Sequence, residues 1–72
     1  MIKKYNMENV DCANCAAKME EGIKKLDGVN DARVNFLTQK LVLDTDREDI
    51  DVLMKDILKV CQKIDGDVEI DF

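Results

Sequence analysis

Two helical hydrophobic patterns, each lying between short alternating segments, constrain the fold of this chain more than any other feature. Residues 13–26 and residues 49–64 both repeat apolar side chains at helical spacing. The stripe of the first pattern consists of Ala16, Met19, Ile23 and Leu26, with Lys18, Glu21 and Lys25 opposite. Each helix therefore has one apolar face that must pack against a second layer.

The alternating segments predict four strands, at residues 2–7, 29–36, 40–44 and 67–71. The middle two are joined by the short connection 37–39 and predict a hairpin. The element order is βαββαβ. Two right-handed βαβ units that share one sheet predict an α+β, ferredoxin-like two-layer sandwich. Both helices would then cover one face of a four-stranded antiparallel sheet.

Polar and glycine residues indicate where the helices begin and end. Asp27 and Gly28 predict the end of the first helix, with Gly28 as a left-handed cap. Residues 45–49 carry the polar and acidic residues typical of a helix start. Asp65 and Gly66 end the second helical pattern.

Length and composition favour one small domain covering residues 1–72, of which 46% are hydrophobic. No apolar run reaches about 20 residues, so we expect no direct membrane insertion. The first six residues are too polar for a signal peptide, which favours a cytoplasmic location. In a reducing compartment, three cysteines predict metal or redox chemistry rather than a disulfide scaffold.

The charge balance restricts the partners. Eleven basic and sixteen acidic residues give a net charge of −5. Nucleic acid is an unfavourable partner because no basic stripe offsets phosphate repulsion. An acidic surface instead favours a cation or a basic protein. We expect the domain to be a monomer.

The cysteine pair in Asp11-Cys12-Ala13-Asn14-Cys15 carries the candidate chemistry. Cys12 falls just before the first helix and Cys15 in its first turn, so both sulfurs can point to one place. The unpaired N–H groups and partial positive charge of a helix N-terminus favour thiolate over thiol. Such a pair can hold one soft metal ion or close into a disulfide.

Three other interpretations of the pair fit the residues less well. A closed structural zinc site needs about four cysteine or histidine ligands, and the chain has three cysteines and no histidine. A thioredoxin-like redox pair usually lies beside a cis-proline, and the chain contains no proline. Two incidental cysteines would not be expected at this spacing and position. An open, exchangeable metal site is the interpretation best supported by the residues.

The whole chain resembles a heavy-metal-associated domain, the small βαββαβ module of metallochaperones and of metal-transporting P-type ATPases. Copper members of this family commonly read Gly-Met-Thr-Cys-x-x-Cys in the loop that is Asn9-Val10-Asp11-Cys12-Ala13-Asn14-Cys15 here. The resemblance implies that Cys12 and Cys15 are the metal ligands. Aspartate in place of threonine resembles the zinc-, cadmium- and lead-exporting branch.

Two departures from the copper pattern bear on the interpretation. Asn9-Val10 replaces Gly-Met, and Val10 can still serve as a buried apolar anchor of the loop. Copper-type domains tend to carry an aromatic residue or a lysine near the turn that is Ile64-Asp65-Gly66-Asp67 here. Its absence favours the divalent branch.

Asp11 is the predicted third ligand, and a helix cap is the alternative role. Zn²⁺ and Cd²⁺ accept oxygen beside sulfur, whereas Cu(I) is satisfied by two thiolates. Two thiolates and a carboxylate also balance a 2+ ion better than a 1+ ion. The expected cargo is therefore Zn²⁺ or Cd²⁺, with Pb²⁺ as a further candidate and Cu(I) as the alternative.

Other candidate ligands have competing structural roles. Cys61 lies on the apolar face of the second helix and is expected in the core. The same expectation holds for Met7, Met19 and Met54. Three carboxylates near the loop or the last turn remain as possible extra ligands: Glu8, Asp65 and Asp67.

The sequence contains no catalytic constellation and no phosphate-binding loop, so we expect a metal-binding module rather than an enzyme. The leading hypothesis is the N-terminal cytosolic domain of a zinc/cadmium/lead-exporting P-type ATPase, with that ATPase as its parent chain or docking partner. The alternatives are a free-standing copper(I) or mercury chaperone and a small CxxC dithiol redox protein.

Overall fold

Four strands and two helices make up the computed structural model, which describes residues 1–72. In chain order they are β1 (Ile2–Glu8), α1 (Ala13–Lys24), β2 (Val29–Asn35), β3 (Lys40–Thr45), α2 (Ile50–Ile64) and β4 (Glu69–Asp71). The strands form one antiparallel sheet in the order β2-β3-β1-β4. The predicted βαββαβ order and the ferredoxin-like sandwich are confirmed.

The apolar faces meet in a single core between the sheet and the helices. Strand pairing places Tyr5 opposite Leu41 and Met7 opposite Ile70. The fully or almost fully buried residues of the helices are Ala16, Met19, Ile23, Leu53, Met54, Ile57 and Cys61. Alternation in the strands and helical spacing in α1 and α2 therefore bury the side chains that the sequence pattern predicts.

The main difference from the predicted boundaries is the end of α1. The helix stops at Lys24, and Leu26 lies half-buried in the following turn. Gly28 has the expected positive φ, at 83°, but it lies in that turn rather than capping the helix. Arg47 packs over Gly28 so closely that an added Cβ would lie 2.3 Å from its Cδ. The turn is therefore shaped by a contact with the segment after β3.

The second helix ends at Ile64 as predicted, but β4 begins two residues later than expected. The carboxylate of Asp65 accepts a hydrogen bond from the Asp67 N–H at 3.1 Å, and the Asp65 carbonyl accepts one from the Val68 N–H at 3.2 Å. This turn delays the strand until Glu69. Neither helix of the structure is long and apolar enough to cross a lipid bilayer.

Candidate metal centre

The loop between β1 and α1 is fixed at both of its first two residues. Asn9 adopts a left-handed backbone conformation with φ of 66°, which asparagine tolerates better than most side chains. Its side-chain amide donates a hydrogen bond to the Asp67 carbonyl at 2.8 Å. Val10 is only 1% exposed and inserts into the core. The expected apolar anchor is therefore present, and asparagine supplies the sharp turn.

Cys12 and Cys15 lie at the start of α1, as predicted. Cys12 is the N-cap residue, and its sulfur accepts a hydrogen bond from the backbone N–H of Cys15 at 3.4 Å. Its carbonyl accepts the first helical hydrogen bond, from Ala16 at 2.9 Å. Cys12 is exposed, Cys15 is half-buried, and both are free thiols. The pair is accessible to an incoming ion while its backbone is held by the helix.

The electrostatic surroundings separate the two thiols. The Cys15 N–H lowers the pKa of Cys12 most strongly, followed by the Cys15 thiol; the Asn14 N–H and the Lys18 charge act in the same direction. The pKa of Cys15 is raised, chiefly because its thiol hydrogen-bonds to the Cys12 sulfur. Partial removal of the thiol from water and the negative charge of Asp65 raise this pKa further. The geometry therefore favours a thiolate at Cys12 with Cys15 as its hydrogen-bond donor.

The Asp11 side chain is exposed and lines an open polar cleft beside the loop. The other residues that line this cleft are Asn9, Gln62, Asp65, Gly66, Asp67 and Glu69. Glu8 lies in a neighbouring cleft with Glu69 and Asp71. The structure brings Cys12 and Cys15 together, but no three cysteine, aspartate or glutamate side chains are spaced to hold an ion.

The residues assigned to the core by helical and strand patterns do lie there. Cys61, Met19 and Met54 have no exposed surface, and Met7 is 3% exposed. Burial raises the pKa of the Cys61 thiol to about 11. These side chains are therefore packing residues in this conformation.

Thiol reactivity should follow the order Cys12, then Cys15, then Cys61. At neutral pH the lowered pKa of Cys12 increases its thiolate fraction, whereas the raised pKa values of Cys15 and Cys61 decrease theirs. Cys61 is also inaccessible in the folded protein. Time-resolved alkylation of the reduced apoprotein with iodoacetamide, followed by peptide mass spectrometry, measures the order. Rapid labelling of Cys61 without denaturant would contradict it.

One residue at this site was not singled out by its sequence pattern. Gln39 lies in the β2–β3 connection, yet its side chain hydrogen-bonds to both the N–H and the carbonyl of Val10. A glutamine in a short turn carries no signal for such a role. The contact depends on the sheet, which brings residues 29 positions apart together.

A ferredoxin-like sandwich with two free thiols at the mouth of its first helix defines a small metal-binding module. The heavy-metal-associated domain model matches residues 4–67, so the chain belongs to the heavy-metal-associated domain family. It is a heavy-metal-binding domain related both to the N-terminal domains of metal-transporting ATPases and to metallochaperones.

Several relatives are named as metal-transporting ATPases. The chain is 31% identical over 68 residues to a cadmium, zinc and cobalt-transporting ATPase of Bacillus subtilis, covering 94% of this chain and 10% of the ATPase. It is 46% identical over 44 residues, 61% of this chain, to the corresponding protein of Helicobacter pylori. A zinc/cadmium/lead-transporting P-type ATPase of Escherichia coli is 43% identical over the same length. The chain spans only 6% of the length of the last two.

Solved structures include both kinds of relative. The N-terminal domain of ZntA in its Zn(II) form superposes with a TM-score of 0.75 at 30% identity, over 97% of this chain and 88% of that one. The CopZ metallochaperone superposes with a TM-score of 0.74 at 21% identity, over 99% of this chain and 100% of that one. The second similarity establishes the fold alone.

Proposed function

We propose that this chain binds Zn²⁺, Cd²⁺ or Pb²⁺ through Cys12 and Cys15, with Asp11 as the third ligand. The ion is cargo that the domain passes on by ligand exchange, as the cytoplasmic N-terminal domain of a metal-exporting P-type ATPase. The observation that carries the proposal is the Asp-Cys-x-x-Cys loop at the exposed N-terminus of α1. The domain itself performs no catalysis.

Exposure of the site supports transfer rather than permanent storage. Asp11 and Cys12 are exposed, and Cys15 is only half-buried. A thiol or carboxylate of a partner can therefore approach the ion before the first ligands leave. A structural zinc site, in contrast, is closed by about four protein ligands.

Charge supports a divalent cargo. Asp11 immediately precedes the thiol pair, and its carboxylate shares a cleft with Asp65, Asp67 and Glu69. Negative potential from this cleft attracts a 2+ ion more strongly than a 1+ ion. Oxygen donors also suit Zn²⁺ and Cd²⁺ better than Cu(I).

The ATPase context rests on the relatives. Three similar proteins are named as transporters of cadmium, zinc, cobalt or lead, and each is far longer than this chain. We propose that the domain acts within such a transporter or docks on one. A coding sequence that continues past Phe72 into membrane helices would favour the first arrangement, and a stop codon there the second.

A copper(I) or mercury chaperone is the second candidate function. One observation favours it: the structure brings the Cys12 and Cys15 thiols together at the start of α1, with no third side chain already spaced for an ion. Two thiolates in near-linear arrangement are sufficient for Cu(I). Binding of Zn²⁺ or Cd²⁺ would require the Asp11 side chain to turn toward the sulfurs.

Substituting Asp11 separates the two candidates. We expect Asp11→Ala to weaken Zn²⁺ and Cd²⁺ binding by about 1–3 kcal/mol, the scale of a lost charged contact, and to leave Cu(I) binding unchanged. Anaerobic competition titration against chelators of known affinity measures all three ions.

Asp11→Asn is the matched control, because it retains the size of the side chain and one carbonyl oxygen but removes the charge. It should weaken the divalent ions nearly as much as Asp11→Ala. If neither variant changes any affinity, Asp11 is not a ligand and the assignment passes to the copper candidate.

A further inference from the structure

We propose that Gln39 is a positioning residue of the metal site, holding the cysteine loop in its binding conformation from the β2–β3 turn. The inference rests on the proposed role of Cys12 and Cys15 as ligands, and it concerns how their loop is held. Gln39 itself does not touch the ion.

The side-chain amide of Gln39 pairs with the backbone of Val10 in both directions. Its Oε1 accepts a hydrogen bond from the Val10 N–H at 2.9 Å, and its Nε2 donates one to the Val10 carbonyl. Nε2 also donates to the Phe36 carbonyl at 2.5 Å. The amide thus satisfies both backbone groups of a loop residue that no strand pairs.

This pairing extends the β1–β3 ladder into the loop. The last residue pair of that ladder is Asn6 opposite Lys40, and the Met7 N–H then donates to the Gln39 carbonyl at 2.8 Å. Three residues further on, the Val10 N–H donates to the side-chain oxygen of Gln39 instead of its backbone carbonyl. The loop therefore remains attached to the sheet until two residues before Cys12.

The backbone at Gln39 shows why the side chain matters. Gln39 has a φ of 55°, a left-handed conformation that glycine adopts without a steric penalty. The turn alone would be served better by glycine. The turn does not need a glutamine, and the side-chain amide therefore serves the cysteine loop rather than the turn.

Loss of the amide should lower the apparent affinity for metal through the conformation of the loop. If the binding conformation is populated only as a fraction f, the apparent dissociation constant rises by 1/f. Two part-buried hydrogen bonds to Val10 disappear, and its N–H and carbonyl lose their partners. We expect Gln39→Gly to weaken binding about 5- to 30-fold.

The decisive comparison is Gln39→Gly against wild type, with Thr38→Ala as the matched control. Thr38 lies in the same turn, is exposed, and donates no side-chain hydrogen bond. Chemical denaturation of each apoprotein and anaerobic Cd²⁺ competition titration are measured on the same preparations. The rate of amide hydrogen exchange at Val10 measures how often the loop opens, because the Val10 N–H is bonded to Gln39.

The expected result is a Gln39→Gly variant that still folds cooperatively with a modest loss of unfolding stability, exchanges faster at Val10 and binds Cd²⁺ more weakly, with Thr38→Ala unchanged. Undiminished Cd²⁺ affinity in a fully folded Gln39→Gly variant would overturn the inference. Failure of the proposed function looks different, because the wild type would then bind no Cd²⁺ through its thiols. A Gln39→Asn variant, whose side chain is one methylene shorter and which tolerates the left-handed conformation, supplies a second test if the glycine variant does not fold.

Discussion

Replacing both Cys12 and Cys15 by serine should abolish binding of soft and borderline metal ions, with a loss of affinity of at least about 1,000-fold. The two sulfurs are the only thiols at the surface of the domain, since Cys61 is fully buried. A serine hydroxyl does not ionise near neutral pH and cannot replace a thiolate as ligand. Anaerobic titration with Cd²⁺, followed by the ultraviolet thiolate-to-metal absorption, measures the loss.

Single substitutions should each weaken binding strongly, but the effects will not add, because one remaining thiolate still holds the ion loosely. Cys61→Ala is the matched control. It removes a thiol from the core without touching the loop, and it should keep wild-type Cd²⁺ affinity as long as the domain remains folded. Binding that survives in the double serine variant would contradict the assignment of the site.

Ile57→Ala should have the largest effect on folding, lowering the free energy of unfolding by about 2–5 kcal/mol. Ile57 has no exposed surface and lies on the buried face of α2, in the hydrophobic core. A domain of this size has a total stability of roughly 4–11 kcal/mol, so the loss removes much of it. Urea denaturation of the apoprotein, monitored by circular dichroism, measures the change.

Val52→Ala, on the same helix, is the control for that experiment. Val52 is 53% exposed, and its truncation should change stability by no more than about 0.5 kcal/mol. Saturating Cd²⁺ should partly restore the stability of Ile57→Ala, because the ion binds the folded loop in preference to the unfolded chain. Equal losses in the two variants would contradict the packing described for α2.

The secondary structure was predictable because it is encoded in local periodicity. The alternating segments are strands in the structure, and the segments with apolar stripes are helices. Only a few topologies combine this element order with right-handed crossovers. Burial of Cys61 followed from its place on the wheel of α2. The location of Cys12 and Cys15 at the start of α1 likewise depends on neighbours within a few residues.

Features that depend on distant residues were not predictable in this way. The first helix ends at Lys24, two residues earlier than predicted, and the chain then enters a turn at Gly28. Arg47 packs over this turn, and the Thr45 hydroxyl donates to the Gly28 carbonyl at 2.5 Å. No short window of sequence contains both partners of that contact. The surroundings of Asp11 are a similar case. The residue that caps α1 is Cys12 and not Asp11, and Asp11 instead lines a cleft with Asp65 and Asp67, which are distant in sequence.

The sequence by itself determined the fold class and the two thiols at the helix mouth, because periodicity and the Cys-x-x-Cys spacing act over a few residues. Tertiary structure alone decided how the loop is held. Gln39 reaches Val10 across 29 positions and Asn9 reaches Asp67 across 58, and only the assembled sheet brings these groups within hydrogen-bond distance. Their amides supply partners for backbone groups that the strands and helices leave unpaired.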